Sequence, residues 1–166
     1  MKIFEVGDIK IFDVNNPVKF DVLADELMRV LQINADHQVM NGMPIGEYAK
    51  IIRYQLETKY EKFKLLVGID WYTNKIVSYT ANFIVNDEGQ HPIVLIYGAY
   101  FKPGTLVKLL PPKLAYTDIW SDLFGCKQTK FATTRYAKAY ERLMRQAKIG
   151  FKISPLVTFE RTNNTI

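Results

Sequence analysis

Five cations, Arg135, Lys138, Arg142, Arg145 and Lys148, recur three or four residues apart near the C-terminus. On a helix that spacing gathers them on one broad face, which could contact phosphates or an acidic protein surface. A solvated helix face is the plainer reading. No helix-turn-helix, zinc-finger or RNA-binding signature accompanies them, so a nonspecific nucleic-acid binder is the nearest function of that type. The other chemistry-bearing residues are scattered. His37 and His91 have no metal-ligand spacing with each other or with Cys126, and no metal site is expected. Cys126 is a lone thiol after a glycine and reads as a packed residue. A nucleophile-elbow motif is absent. Glu57, Glu61 and Asp70 are carboxylates that could deprotonate an amine, or simply surface charges. Trp71 and Tyr72 fall in an expected turn, where an exposed Trp would suggest a contact site.

The net charge of +5 is unevenly spread. Residues 1–101 carry 10 Lys and Arg against 13 Asp and Glu, and residues 102–166 carry 12 against 4. The second half, at +8 against −3 for the first, is the one expected to attract an anion: cofactor phosphates, a nucleic acid or an acidic protein. A length of 166 residues fits one domain, 1–166, with room for a sizeable core, and 48% hydrophobic residues argue against disorder. No apolar run reaches the length of a membrane span, and Met-Lys-Ile-Phe-Glu-Val-Gly-Asp has no signal-peptide core. Neither membrane insertion nor signal-directed secretion is therefore expected, and a single cysteine fits a reducing compartment.

Elements must position these groups. Lys2 to Val14 reads as a first strand, broken by Asn15-Asn16-Pro17. Val18, Val22, Leu23, Leu27, Val30 and Leu31 predict a helix over 18–32, and Ile45, Tyr48, Ala49, Ile52, Leu56 and Tyr60 a second over 45–60. Three strands follow at 63–70, 76–85 and 92–101, joined by turns at Trp71–Lys75 and Asn86–Gly89, an antiparallel meander. Gly98 inside the third suggests a bulge or a close backbone approach. Pro111-Pro112 is expected to open a helix that ends at Phe124, with Gly125 as its stop. A strand over 127–134, a helix carrying Tyr136, Tyr140, Leu143, Met144 and Ala147, and a strand from Gly150-Phe151 to Arg161 complete the chain. The class is α+β, or mixed α/β: a central, mostly antiparallel sheet with helices on both faces. Leu66, Ile69, Val77, Ile84, Val94, Ile96, Phe131, Leu143 and Phe151 are expected in the core.

This order, with Phe131-Ala-Thr-Thr-Arg135 leading into Ala139-Tyr-Glu-Arg-Leu143 and ending at Gly150-Phe151, resembles the GNAT superfamily of N-acetyltransferases over nearly the whole chain. It is particularly similar to GNAT-like proteins encoded by bacteriophages. The resemblance implies a GNAT-like fold, with a bulge in the strand over 92–101 that splays it from the next and opens an acetyl-CoA cleft. It also implies a loop of backbone amides that holds the acetyl-CoA pyrophosphate at the following helix. The family loop reads Arg/Gln-x-x-Gly-x-Gly/Ala. Here Leu106, Val107 and Leu109 fall at its Arg and Gly positions, and Gly104, Thr105 and Lys108 remain as the cofactor-binding candidates. The family tyrosine that protonates the leaving thiolate falls on Leu143. Tyr136 and Tyr140 are the nearby phenols, catalytic candidates that also fit the apolar stripe of their helix.

The missing glycines favour a phage-type GNAT-fold protein with weakened or lost acetyl-CoA chemistry. It would act as an accessory or virion-associated interaction component, in the host cytoplasm or the virion, with a protein partner or an anionic partner for its basic half. The alternative is an active N-acetyltransferase. It would use acetyl-CoA, polarise the thioester carbonyl with an amide of the strand over 92–101, and let a substrate amine attack directly.

Overall fold

The computed structural model describes residues 2–37, 43–131 and 137–150, apart from the side chains of 34–37 and 137–140. Six strands form one sheet in chain order: β1 (Lys2–Val6), β2 (Ile9–Val14), β3 (Phe63–Asp70), β4 (Lys75–Asn86), β5 (Pro92–Phe101) and β6 (Thr129–Phe131). The first five are successively antiparallel, and β6 lies parallel to β5 after a helical crossover. The helices are α1 (Pro17–His37), α2 (Ile45–Glu57), α3 (Leu106–Asp122) and α4 (Ala137–Gln146).

Alternation along the strands assigns the two faces. Leu65, Val67, Ile76, Tyr79 and Ala81 pack with Leu27, Val30 and Leu31 of α1 and with Tyr48, Ile52 and Leu56 of α2. Ile9, Ile11, Leu66 and Val77 point the other way, onto Leu109 of α3. A third cluster on that side joins Ile84, Val94, Trp120 and Cys126, so the lone thiol is packed as its composition suggests. Helices thus cover both faces of a mostly antiparallel sheet. Among the described residues no helix is long and apolar enough to cross a membrane.

Three expectations are corrected. The strand over 2–14 is a hairpin: Gly7 takes φ +57° and reverses the chain between β1 and β2. Apolar residues continue on both sides of that turn and hide it from the pattern. The helix expected to open at Pro111-Pro112 begins at Leu106 instead, with both prolines inside it. The Thr105 carbonyl accepts from the Lys108 and Leu109 amides at 3.2 and 3.0 Å, and fully buried Leu109 anchors this first turn. Proline's fixed φ is helical; what Pro111 and Pro112 omit are two donors of the second turn. Phe131, expected in the core, is 41% exposed, on β6, the outermost strand of the sheet among the described residues. Ile69, Ile96 and Leu143 are half-buried, while Leu66, Val77, Ile84 and Val94 are buried as expected. Phe151 and the strand expected after it lie outside the described residues.

The stop at Gly125 takes a specific form. Gly125 adopts φ +75°, its amide donates to Asp122 O at 3.0 Å, and the Cys126 amide reaches Ser121 O at 3.2 Å. This is the paired-bond C-cap that a left-handed glycine permits. Trp120 Nε1 also donates to Glu61 O at 3.1 Å, tying the helix to the start of β3.

Candidate functional site

The bulge suggested by Gly98 is present. Ala81 pairs with Gly98 but Asn82 with Ile96, so Tyr97 is the extra residue on β5. Among the described residues β6 pairs with β5 over Val94–Ile96, before the bulge. Gly98 also answers the second expectation, close approach: a Cβ there would overlap Tyr48 Oη and lie 3.3 Å from Tyr79 Oη. The Tyr48 ring stacks on Tyr97 at 5.3 Å, and Phe83 meets Tyr97 edge-on at 5.5 Å. Burial, and then the neighbouring Tyr79 and Tyr97, push the Tyr48 phenol well above its ordinary pKa, so it stays protonated.

The end of β5 past the bulge runs into the N-terminus of α3. Lys102 to Thr105 makes a tight turn, closed by the Thr105 amide on Lys102 O at 3.0 Å. Gly104 has φ +83°, and nothing lies within 4 Å of where its Cβ would be. The Leu106 and Val107 amides stand in the first turn, where a helix offers no internal acceptor. No acidic residue occupies that turn, and Lys102 and Lys108 are exposed beside it. The bulk of Leu109 and Leu110 points into the core and leaves this end open. Pro111 and Pro112 remove donors only deeper in the helix. The residues present therefore suit a phosphate: free first-turn amides, the positive end of the helix dipole and the Lys108 ammonium.

Among the residues singled out by sequence, Gly104, Thr105 and Lys108 come together at this turn. The Thr105 hydroxyl is buried and donates to Lys102 O at 2.7 Å, so it supports the turn rather than reaching outward. Tyr136 lies outside the described residues, and Tyr140 is on α4 with its side chain outside them. Glu57 is exposed and paired with Arg53 at 3.2 Å. Glu61 lines a separate cavity of about 240 Å³ with Asp13, Lys59 and Lys64. Asp70 accepts the Tyr72 and Thr73 amides at 2.9 and 3.1 Å, and those bonds, Thr73's foremost, lower its pKa; it shapes the turn as an ionised acceptor. Trp71 is 60% exposed, with Lys10 Nζ 3.2 Å from its ring centre. His91 is exposed beside Asp87, and among the described residues no three His, Cys, Asp or Glu gather as metal ligands. Arg142, Arg145 and Lys148 of the basic stripe are exposed; Arg135 and the Lys138 side chain lie outside the described residues. Sequence reading missed the phenols of Tyr48 and Tyr79 at the bulge. Their only signal was helical or strand apolar spacing, the same as for any core tyrosine.

No family model matches the sequence, and no curated protein sequence does. Solved structures do match in fold. The aminoglycoside 6'-N-acetyltransferase AAC(6')-Ih from Acinetobacter baumannii aligns at TM-score 0.66 and 11% identity, over 93% of this chain and 98% of its own. Glucosamine-6-phosphate N-acetyltransferase from Arabidopsis thaliana aligns at 0.61 and 11%, over 92% and 98%. AAC(6')-Iy, in complex with the bisubstrate analogue CoA-S-monomethyl-acetylneamine, aligns at 0.60 and 11%, over 88% and 93%. The chain has the GNAT-like α+β fold.

Proposed function

We propose that this chain is an acetyl-CoA-dependent N-acetyltransferase. The observation that carries the reading is the bulge at Tyr97-Gly98 of β5, from which the chain runs on through the Lys102–Thr105 turn to the first-turn amides of Leu106 and Val107. The fold it shares with acetyltransferases, one of them bound to a CoA-containing analogue, supports it further. Acetyl-CoA, when bound, supplies an activated acetyl thioester. The first turn of α3, with Gly104 and Lys108, would hold its phosphates, and the β5 backbone past the bulge would receive the acyl arm. As an acceptor amine bonds to the acetyl carbon the C–S bond would break, with the amine proton passing to solvent, and Tyr136, just before α4 in sequence, or Tyr140, on α4, would protonate the departing thiolate.

Calorimetric titration with acetyl-CoA and CoA tests the reading. Micromolar binding is expected, weakened by Gly104→Val, which fills the open turn in a left-handed conformation, and by Lys108→Ala. A second reading is an accessory or virion-associated interaction component with weakened or lost acetyl-CoA chemistry. It rests on Leu106, Val107 and Leu109 standing where the family loop has Arg and Gly. No binding at millimolar CoA, with intact association to a partner protein, would select it.

A further inference from the structure

A second cavity, of about 260 Å³, opens on the α1 side of the sheet and is lined by Arg29, Thr73, Lys75, Tyr100 and Lys102, with Ile76 and Val77 behind. Three of these carry positive charge. Two are held in place by Glu26: its Oε1 accepts Lys75 Nζ at 2.8 Å, and its Oε2 accepts Arg29 Nη2 at 3.0 Å, Arg29 Nε at 3.1 Å and the Ile76 amide at 3.3 Å. Arg29 Nη2 also donates to Ile76 O at 3.0 Å. These bonds orient the guanidinium and leave its Nη1 hydrogens with no acceptor among the described residues. Lys102 makes no ion pair among them either, although Asp70 lies within its field. Glu26 offsets one of the three charges, so the cavity keeps an excess of positive charge.

Tyr100 lies two residues beyond Gly98 on β5, on the same face as the bulge phenols, and Lys102 follows the last residue of that strand. The cavity therefore stands beside β5 past the bulge, on the face opposite α3. We infer that this cavity, through Arg29, Lys75 and Lys102, binds an anionic group, a phosphate or carboxylate, carried by the acceptor amine. The inference rests on the acetyltransferase reading for the word acceptor, but the anion site itself does not depend on it. A guanidinium and two ammonium groups lining one opening favour a doubly charged oxyanion over a polycationic amine, which they would repel.

Titration of the full chain with inorganic phosphate, followed by backbone amide shifts, tests the site. Saturable shifts are expected at Arg29, Thr73, Lys75 and Lys102. Lys75→Gln and Lys102→Gln should each weaken them roughly three- to tenfold, as loss of one ionic contact does, and Lys108→Ala should leave them unchanged. Shifts confined to Gly104–Lys108, or none at millimolar phosphate, would overturn the site. The acceptor assignment is read by acetyl transfer to phosphoethanolamine against ethanolamine: a higher kcat/KM for the former, lost in Lys102→Gln, is expected, and equal values would overturn it. If no amine is acetylated, that assignment falls with the reading it rests on, while the phosphate shifts still decide the site.

Discussion

Lys113 is the residue whose environment departs furthest from its chemistry. It is 1% exposed, between α3 and the sheet, with Nζ donating to Leu66 O at 3.3 Å and lying 5.2 Å from the centre of the Phe101 ring. Burial drives its pKa well below the ordinary 10.5. The sign follows from linkage. Between the depressed value and 10.5 the unfolded chain binds a proton that the folded chain does not, so folding stability rises with pH through that window. Below the window both states are protonated and the full penalty of a buried charge remains. Lys113→Met keeps the volume and removes the titration, at the loss of one hydrogen bond. Denaturant unfolding should find the variant more stable than the parent by about 1–3 kcal/mol near neutral pH. The difference should shrink as pH approaches 10.5. A pH-independent difference would mean that Lys113 is not the titrating group.

At the scale of elements, two joints hold the site. The first is the α1–β4 clamp, in which Glu26 binds Lys75, Arg29 and the Ile76 amide together. Burial opposes its ionisation, but the bonds from Lys75, Arg29 and Ile76 prevail and bring its pKa to about 2. A depressed carboxyl stabilises the fold above its unfolded pKa near 4.5 and loses that contribution as pH falls toward 2. Glu26→Gln should cost about 1–2 kcal/mol at pH 7, discounted for partial exposure, and should flatten the fall in stability between pH 4.5 and pH 2. An unchanged acid limb in urea unfolding would place the loss elsewhere. The second joint is the β5 bulge against α2. Gly98→Ala should destabilise by about 1–3 kcal/mol, since the Tyr48 hydroxyl occupies the space. In a Tyr48→Phe background the hydroxyl is gone, but the ring carbon that bore it, 2.9 Å from the added Cβ, and Tyr79 Oη, at 3.3 Å, remain, so the cost should fall without vanishing. Equal costs in the two backgrounds, in a double-mutant cycle, would show that the Tyr48 hydroxyl is not what excludes the methyl.

For the whole molecule, a ligand that spans the first turn of α3 and β5 past the bulge binds only the folded chain. At a hundredfold excess over its Kd, CoA should add about 2.7 kcal/mol of stability, which for a domain of this size raises Tm by roughly 5–10 °C. Lys108→Ala should reduce the shift at fixed CoA. A Tm indifferent to millimolar CoA would remove the cofactor from the account and leave a GNAT-like scaffold without its donor.

Much of the architecture could be read from the chain itself. The meander over 63–101 was legible because its turns, Trp71–Lys75 and Asn86–Gly89, sit between β-branched and aromatic runs. Gly125 ended its helix as glycine does, and Gly98 marked the bulge because a side-chain-free residue amid a fully apolar strand has a local steric cause. Gly7 was hidden because apolar residues flank it on both sides. A Pro-Pro pair favours a helix start, and the burial of Leu109 and Leu110 just before it overrode that preference. The sites depended on folding. Glu26 and Ile76 are 50 residues apart, and Tyr48 meets Gly98 across a similar gap. No periodicity encodes such a pairing, since it is set by which faces of α1 and α2 the sheet covers. The fate of Leu109 and Leu110 was decided the same way. By type they are too bulky for a phosphate loop, but the early start of α3 rotates both into the core and leaves the amides of Leu106 and Val107 facing outward. Residue type therefore determined what each side chain could do, and the packing of helices against the sheet decided which of them share a site, because that packing satisfies burial over the whole chain at once.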